Sequence, residues 1–323
     1  MAKLRIVFMG TGDIALPTMQ SLIDASDRAD AYELAALVTQ LDKPVGRKQV
    51  LKAPAVKELA LSHDIPVMQP ESARDQDFLE ALAELKPDII VVMAYGQILP
   101  QALLDMPSLA CINLHASLLP KYRGAACIQA AIDAGDHKTG ITVMHVVKAL
   151  DAGDIILKKE TEIGKHETGG ELHDRLAELS PGALEEVLKQ LADGSDQRIA
   201  QDPDEVSYIS KLMREHGEMD WSQSAEALER RIRAYDPWPG TSTTYLDSKG
   251  RQRRLKIFPQ VEVKGRSGQS GEVLAVDGIL SVACGEGSLE IQTVQPDGSR
   301  QMSAADFLMG NAIKVGDTLG SSE

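Results

Sequence analysis

Cysteine is scarce in this chain. Cys111, Cys127 and Cys284 make an odd number without metal-ligand spacing, which argues against a disulfide framework or a metal site and predicts three packed thiols. Long apolar runs are missing as well, none approaching the roughly 20 residues that a membrane-spanning helix needs. The opening Met1-Ala2-Lys3-Leu4-Arg5 leads into a strand rather than a signal peptide, so a cytoplasmic protein with no membrane partner is expected. Positive charge is in deficit, with a net charge of -14, which excludes general affinity for nucleic acid. The dinucleotide fingerprint is incomplete too. Gly10-Thr11-Gly12 is followed by Ala15 where the third glycine belongs, and no ribose-binding acid follows the second strand, so no nicotinamide cofactor is expected.

What is present reads as two domains of the α/β and β classes. A length of 323 residues exceeds one comfortable core. Leu4 to Met9 is an apolar strand that turns into a helix over Ile14 to Ala25, and strands are predicted at Glu33 to Thr39, Ile89 to Ala94 and Leu109 to Leu114. The run Ile89-Ile90-Val91-Val92-Met93-Ala94 suits a parallel strand buried on both faces. Helices are predicted over Ala53 to His63, Asp75 to Leu85, Gly124 to Ala134 and Thr168 to Ala192, the last with a kink at Pro181. This is a Rossmann-like, doubly wound domain over residues 1–207, ending in a polar linker over about 193–207. Residues 208–323 carry a helix from Ser222 to Ala234, a Pro-rich turn and five short strands from Thr241 to Val294, the pattern of a small OB-like barrel, a fold often used on nucleic acids.

Asn113 and His115 lie two apart at the end of a strand, so both project to one side of it, at the sheet edge where ligands of open α/β sheets bind. An amide and a protonated imidazole can together stabilise an oxyanion. A carboxylate beside the imidazole could accept a proton from an attacking nucleophile. Asp151 is the candidate, because Ala152-Gly153 after it permits a sharp turn towards that edge. The negative charge is unevenly spread, at -12 over residues 1–207 and -2 over the remainder. Two basic islands stand out: Lys43, Arg47, Lys48, Lys52 and Lys57, and a later stretch holding Arg230, Arg231, Arg233, Lys249, Arg251, Arg253, Arg254 and Lys256. An acidic chain with two such islands suits selective docking of a polyanion.

The run Asn113-Leu114-His115-Ala116-Ser117-Leu118-Leu119-Pro120-Lys121-Tyr122-Arg123-Gly124-Ala125-Ala126 resembles the signature of the folate-dependent formyltransferases, and Leu150-Asp151-Ala152-Gly153-Asp154 resembles their second motif. Further likeness lies in Phe8 to Gly12, in the loop Thr39 to Arg47, in Met219-Asp220-Trp221 and in Arg233 to Gly240, so the resemblance covers nearly the whole chain; Cys127 stands where the family generally has Pro. It implies transfer of a formyl group from 10-formyltetrahydrofolate, with no metal, to the α-amine of methionine on initiator tRNA, by a monomer. By that resemblance Asn113, His115 and Asp151 are catalytic, and Ser117, Leu118, Leu119 and Pro120 contact folate. The basic residues Lys43, Arg47, Lys48, Lys52, Arg251, Arg253 and Arg254 are the expected tRNA contacts. Two alternatives stay open at this point: an amino-sugar nucleotide as acceptor, and a catalytically silent module that binds RNA or folate.

Overall fold

The computed structural model describes residues 3–28, 32–46, 49–311 and 313–320. The strands are β1 (Leu4–Gly10), β2 (Tyr32–Val38), β3 (Lys43–Val45), β4 (Val50–Lys52), β5 (Val67–Met68), β6 (Ile89–Met93), β7 (Ala110–His115), β8 (Arg123–Gly124), β9 (Lys138–His145), β10 (Ile155–Glu162) and β11 (Tyr208–Ile209). They are joined by α1 (Leu16–Asp27), α2 (Ala55–Ser62), α3 (Gln76–Glu84), α4 (Gln101–Leu104), α5 (Cys127–Ala134) and α6 (Gly169–Asp193). The contacts divide the chain into two compact units: residues 1–124, 139–162 and 173–209 form one, and residues 125–138, 163–172 and 210–323 the other.

The first unit is built on a seven-stranded sheet of order β10-β9-β7-β6-β1-β2-β5. Strands β5, β2, β1, β6 and β7 run parallel, and β9 joins β7 antiparallel. Every residue of β6 is buried, as its unbroken apolar run requires of a strand covered on both faces. On one face Phe78 and Leu82 of α3 close over Val7, Met9, Ile90 and Val92. Gly10 sits where the strands crowd, since a Cβ there would lie 2.8 Å from the Phe8 ring and 3.1 Å from the Met93 carbonyl oxygen. Helix α6 passes through Pro181 without interruption from Gly169 to Asp193. The Ser180 hydroxyl donates to the Leu176 carbonyl at 2.7 Å in the turn beside the proline.

In the second unit α7 (Ala225–Ala234) precedes β12 (Thr241–Leu246), β13 (Gln252–Ile257), β14 (Glu262–Lys264), β15 (Val273–Ala275), β16 (Leu280–Ala283), β17 (Ser288–Ile291), β18 (Thr293–Pro296), β19 (Met302–Ser303) and α8 (Ala304–Gly310). They make two four-stranded sheets, of order β12-β13-β18-β19 and β14-β17-β16-β15, whose neighbouring strands run antiparallel, a small barrel-like arrangement. The expected strand over Arg254 to Val263 is two strands. Pro259 cannot donate to a ladder and Gln260 takes φ 73, so the pairing stops after Ile257 and resumes at Glu262. Phe307 of α8 is fully buried and meets Tyr245 edge-on, with ring centroids 5.2 Å apart. Replacing Phe307 by Ala is expected to cost about 3–5 kcal/mol of stability, read as a fall in the urea midpoint. A variant as stable as its parent would contradict this packing. All three cysteines are free and buried, and burial pushes the Cys111 thiol up to about 12.

Candidate active site

The site belongs to the first unit. Strand β7 runs between β6 and β9, with Asn113 opposite Val92 on one side and Met144 on the other, and it ends at His115. Asn113 is partly buried, and among the described residues its side-chain amide has no hydrogen-bond partner. The His115 ring is buried, and its Nε2 lies 2.9 Å from the Tyr122 carbonyl oxygen. A carbonyl only accepts, so Nε2 carries a proton and the ring's orientation is set.

Asp151 comes to the same place from the connection between β9 and β10. Its Oδ2 lies 3.7 Å from His115 Nδ1, with the two side chains only 13% and 7% exposed, and accepts the Gly124 amide at 2.8 Å. The pair is ionic when the imidazole is protonated. At 3.7 Å it is longer than a hydrogen bond, and a closure of about 1 Å reaches proton-transfer range. Asp151 takes φ 48, a left-handed backbone that aspartate tolerates better than most residues at a cost of about 1–2 kcal/mol. The chain then returns so closely that a Cβ at Gly153 would lie 1.8 Å from the His145 carbonyl oxygen. Only glycine permits this approach.

The segment Ser117 to Pro120 follows the strand directly. Ser117 is fully buried, and its hydroxyl donates to the Lys121 carbonyl at 2.7 Å. The Thr142 hydroxyl on β9 donates to the Ser117 carbonyl at 2.6 Å and accepts the Leu119 amide at 3.1 Å. Leu119 and Pro120 are buried and Leu118 is partly so. The segment is therefore a rigid rim beside Asn113 and His115 rather than a mobile loop end.

Sequence reasoning missed two contributors. The Thr11 hydroxyl donates to the Tyr95 carbonyl at 3.2 Å and accepts the Gln40 amide at 3.2 Å, tying the ends of three strands together. The polar stretch expected to be a linker is bound to the first unit: Ile199 bridges Ile155, Ser207 accepts the Tyr122 amide at 2.8 Å, and Gln201 donates to the carbonyls of Asp151 and Gly153. A lone glutamine in a polar run carries no spacing signal that could have revealed it.

The basic residues are dispersed. Lys43 and Lys52 are exposed and face each other across the β3–β4 hairpin, whose Val45, Val50 and Leu51 are exposed too. Asp42 at its base accepts both Lys57 and Gln69, and these bonds hold its carboxyl below the ordinary carboxylate range. Arg47 and Lys48 lie outside the described residues. In the second unit Arg251 and Arg253 share Asp247, at 2.8 and 3.2 Å, and Arg254 donates to the Ser242 hydroxyl at 2.8 Å. Hydrogen bonds from Arg251 hold the Asp247 carboxyl far below its usual range. Arg231 pairs with Asp133 and Arg233 with Glu229, so these two serve the packing of α7.

An amide, an imidazole and a carboxylate at one strand end suit transfer of a small acyl group, and comparisons with known proteins agree. Residues 4–188 match the model of the formyl transferase family, and residues 211–312 match that of the formyl transferase C-terminal domain. The methionyl-tRNA formyltransferase of Akkermansia muciniphila is 51% identical over 311 residues, covering 95% of this chain and 97% of that protein. The enzyme of the same name from Geobacter sulfurreducens is 43% identical over 324 residues, covering 100% and 98%. Among solved structures, the sugar 3N-formyl transferase WlaRD superposes with a TM-score of 0.64 at 17% identity, covering 93% of this chain and 99% of that one. HypX from Aquifex aeolicus, in complex with tetrahydrofolic acid, gives 0.61 at 20%, covering 95% of this chain and 47% of that one. Both low-identity likenesses carry the fold, whereas the two matched models together span nearly all of the sequence, and the chain belongs to the formyl transferase family.

Proposed function

We propose that this chain transfers the formyl group of 10-formyltetrahydrofolate to the α-amine of methionyl initiator tRNA, in the cytoplasm and as a monomer. The observation that carries the reading is the approach of Asp151 to His115 beside the unpartnered amide of Asn113. A formyl donor fits there: an amide without a protein partner is what a formyl oxygen needs, and in the packed segment Ser117 to Pro120 the partly exposed Leu118 offers apolar surface to the folate ring. The reading assigns oxyanion stabilisation and proton transfer to Asn113, His115 and Asp151 and invokes no metal.

The residues divide the work as follows. Asn113 donates to the formyl oxygen, and its bond strengthens as the oxygen becomes an oxyanion, an effect worth about 3 kcal/mol for one such donor. His115 in its charged form adds a positive charge beside the same centre. Asp151 takes the proton that the amine loses on attack, and the imidazole next to it returns a proton to the nitrogen of the departing folate. A free α-amine has a pKa of about 8 and that of an aminoacyl ester is lower, so a neutral nucleophile is available at physiological pH and the oxyanion is the larger problem.

The acceptor is argued from the two basic islands and from the relatives that match end to end, both named for methionyl-tRNA. Lys43, Lys52 and Arg47 on one unit, with Arg251, Arg253 and Arg254 on the other, would meet phosphates. No helix among the described residues is long and apolar enough to cross a membrane. Incubation with formyl-labelled donor, charged initiator tRNA and an amino-sugar nucleotide tests the reading: label is expected on the tRNA, and label on the sugar or none transferred would overturn it. Replacing Arg47 by Ala is expected to raise KM for tRNA about ten-fold while leaving folate affinity within about two-fold. Equal loss of both would remove Arg47 from tRNA contact.

A further inference from the structure

Gln201 is partly buried, and every hydrogen-bonding position of its side chain is used. Its Nε2 donates to the Asp151 carbonyl and the Gly153 carbonyl, each at 2.8 Å. Its Oε1 accepts from Arg123 Nε at 3.0 Å and from Arg123 Nη2 at 2.8 Å. Two N–H donors and two lone pairs exhaust a primary amide. The amide has one allowed orientation, because turning it over would aim its NH2 at the guanidinium and its oxygen at two carbonyls. Nε2 also lies 3.8 Å from Met144 Sδ. Arg123 is buried, and its remaining end is held by the Tyr208 hydroxyl at 3.2 Å.

The two carbonyls that converge on Gln201 flank Ala152, within the turn that carries Asp151 in a left-handed backbone. A turn of this kind has other conformations open to it unless something outside it fixes both ends. We propose that Gln201 is a positioning residue of the active site, gripping the carbonyls on either side of Ala152 so that the Asp151 carboxylate stays in register with His115. Arg123 sets which way the gripping amide points. The inference rests on the proposed function for the step it serves, and its consequence is specific: loss of the grip lowers kcat and leaves substrate binding alone.

Gln201→Glu is the informative variant, since it keeps the size and the Arg123 acceptor while removing both donors to the turn. It is expected to lower kcat ~10- to 100-fold with both KM values within about two-fold. In an Asp151→Asn background the same change is expected to cost no more than about two-fold further. Hydrogen exchange at the Gly124 amide, which Asp151 Oδ2 accepts, is expected to accelerate. A kcat within about two-fold of the parent, losses that multiply with Asp151→Asn, or unchanged Gly124 exchange would each overturn the proposal. Gln201→Met, with neither donor nor strong acceptor, takes the place of a Glu variant that does not fold. Failure of both to fold would assign Gln201 to stability and overturn the proposal too. Exchange at Gly124 needs neither substrate, so a parent protein that formylates no charged tRNA would sink the proposed function while the exchange rate still decided the role of Gln201.

Discussion

Replacing Asp151 by asparagine is expected to lower kcat for formyl transfer by about 10³-fold, in the upper part of the range for general acid–base catalysis. The fold should survive the change. Asparagine adopts the left-handed backbone at φ 48 as readily as aspartate, and its carbonyl oxygen can accept the Gly124 amide that Oδ2 now accepts at 2.8 Å. What disappears is the negative charge facing His115 Nδ1 at 3.7 Å, and with it both the proton acceptor and the partner of the imidazolium. The variant therefore separates charge from geometry. KM for each substrate should stay within about three-fold, because a loss confined to the transition state lowers kcat and kcat/KM together. Steady-state rates with donor and charged tRNA each varied provide the check. A loss under about ten-fold would remove Asp151 from the proton path and leave the oxyanion donors as the whole of the catalysis.

The site strand was legible because its chemistry lies within one short run. Ala110 to His115 is apolar apart from Asn113 and its terminal His115, and alternation alone puts those two on one side of the strand. Asp151 was legible as a candidate through Ala152-Gly153, yet its approach to His115 depends on a contact with the His145 carbonyl that no local pattern encodes. Gln201 was not legible at all, since its partners Arg123, Asp151 and Gly153 are scattered along the chain and its surroundings read as polar connector. The strand Arg254 to Val263 looked continuous because Pro259 was outweighed by the alternation on either side of it. The β3–β4 hairpin escaped for the opposite reason: three-residue strands that are exposed throughout carry no burial pattern. Signals confined to neighbouring residues were readable, and those made by distant backbone meeting backbone were not.

That distinction leads to the second large effect, at Gly153. An alanine there would place its Cβ 1.8 Å from the His145 carbonyl oxygen, a main-chain atom that cannot swing aside as a side chain would. The His145 backbone is itself held, with its amide donating to the Asp154 carbonyl at 2.9 Å and the residue paired with Ile112 across the sheet. The turn must therefore yield, and it carries Asp151. Gly153→Ala is expected to destabilise the first unit by about 3 kcal/mol, the upper end for overpacking, and to lower kcat by about 100-fold through misplacement of the carboxylate. Urea unfolding gives the first number and single-turnover transfer the second. Combining Gly153→Ala with Asp151→Asn should cost activity little beyond Asp151→Asn alone, while the stability loss should persist in full, because the clash does not need the carboxylate but the catalytic penalty does. A Gly153→Ala variant with parental stability and rate would mean that the β9–β10 connection has another conformation in which Asp151 still reaches His115, and the close approach at His145 would then have no part in building the site.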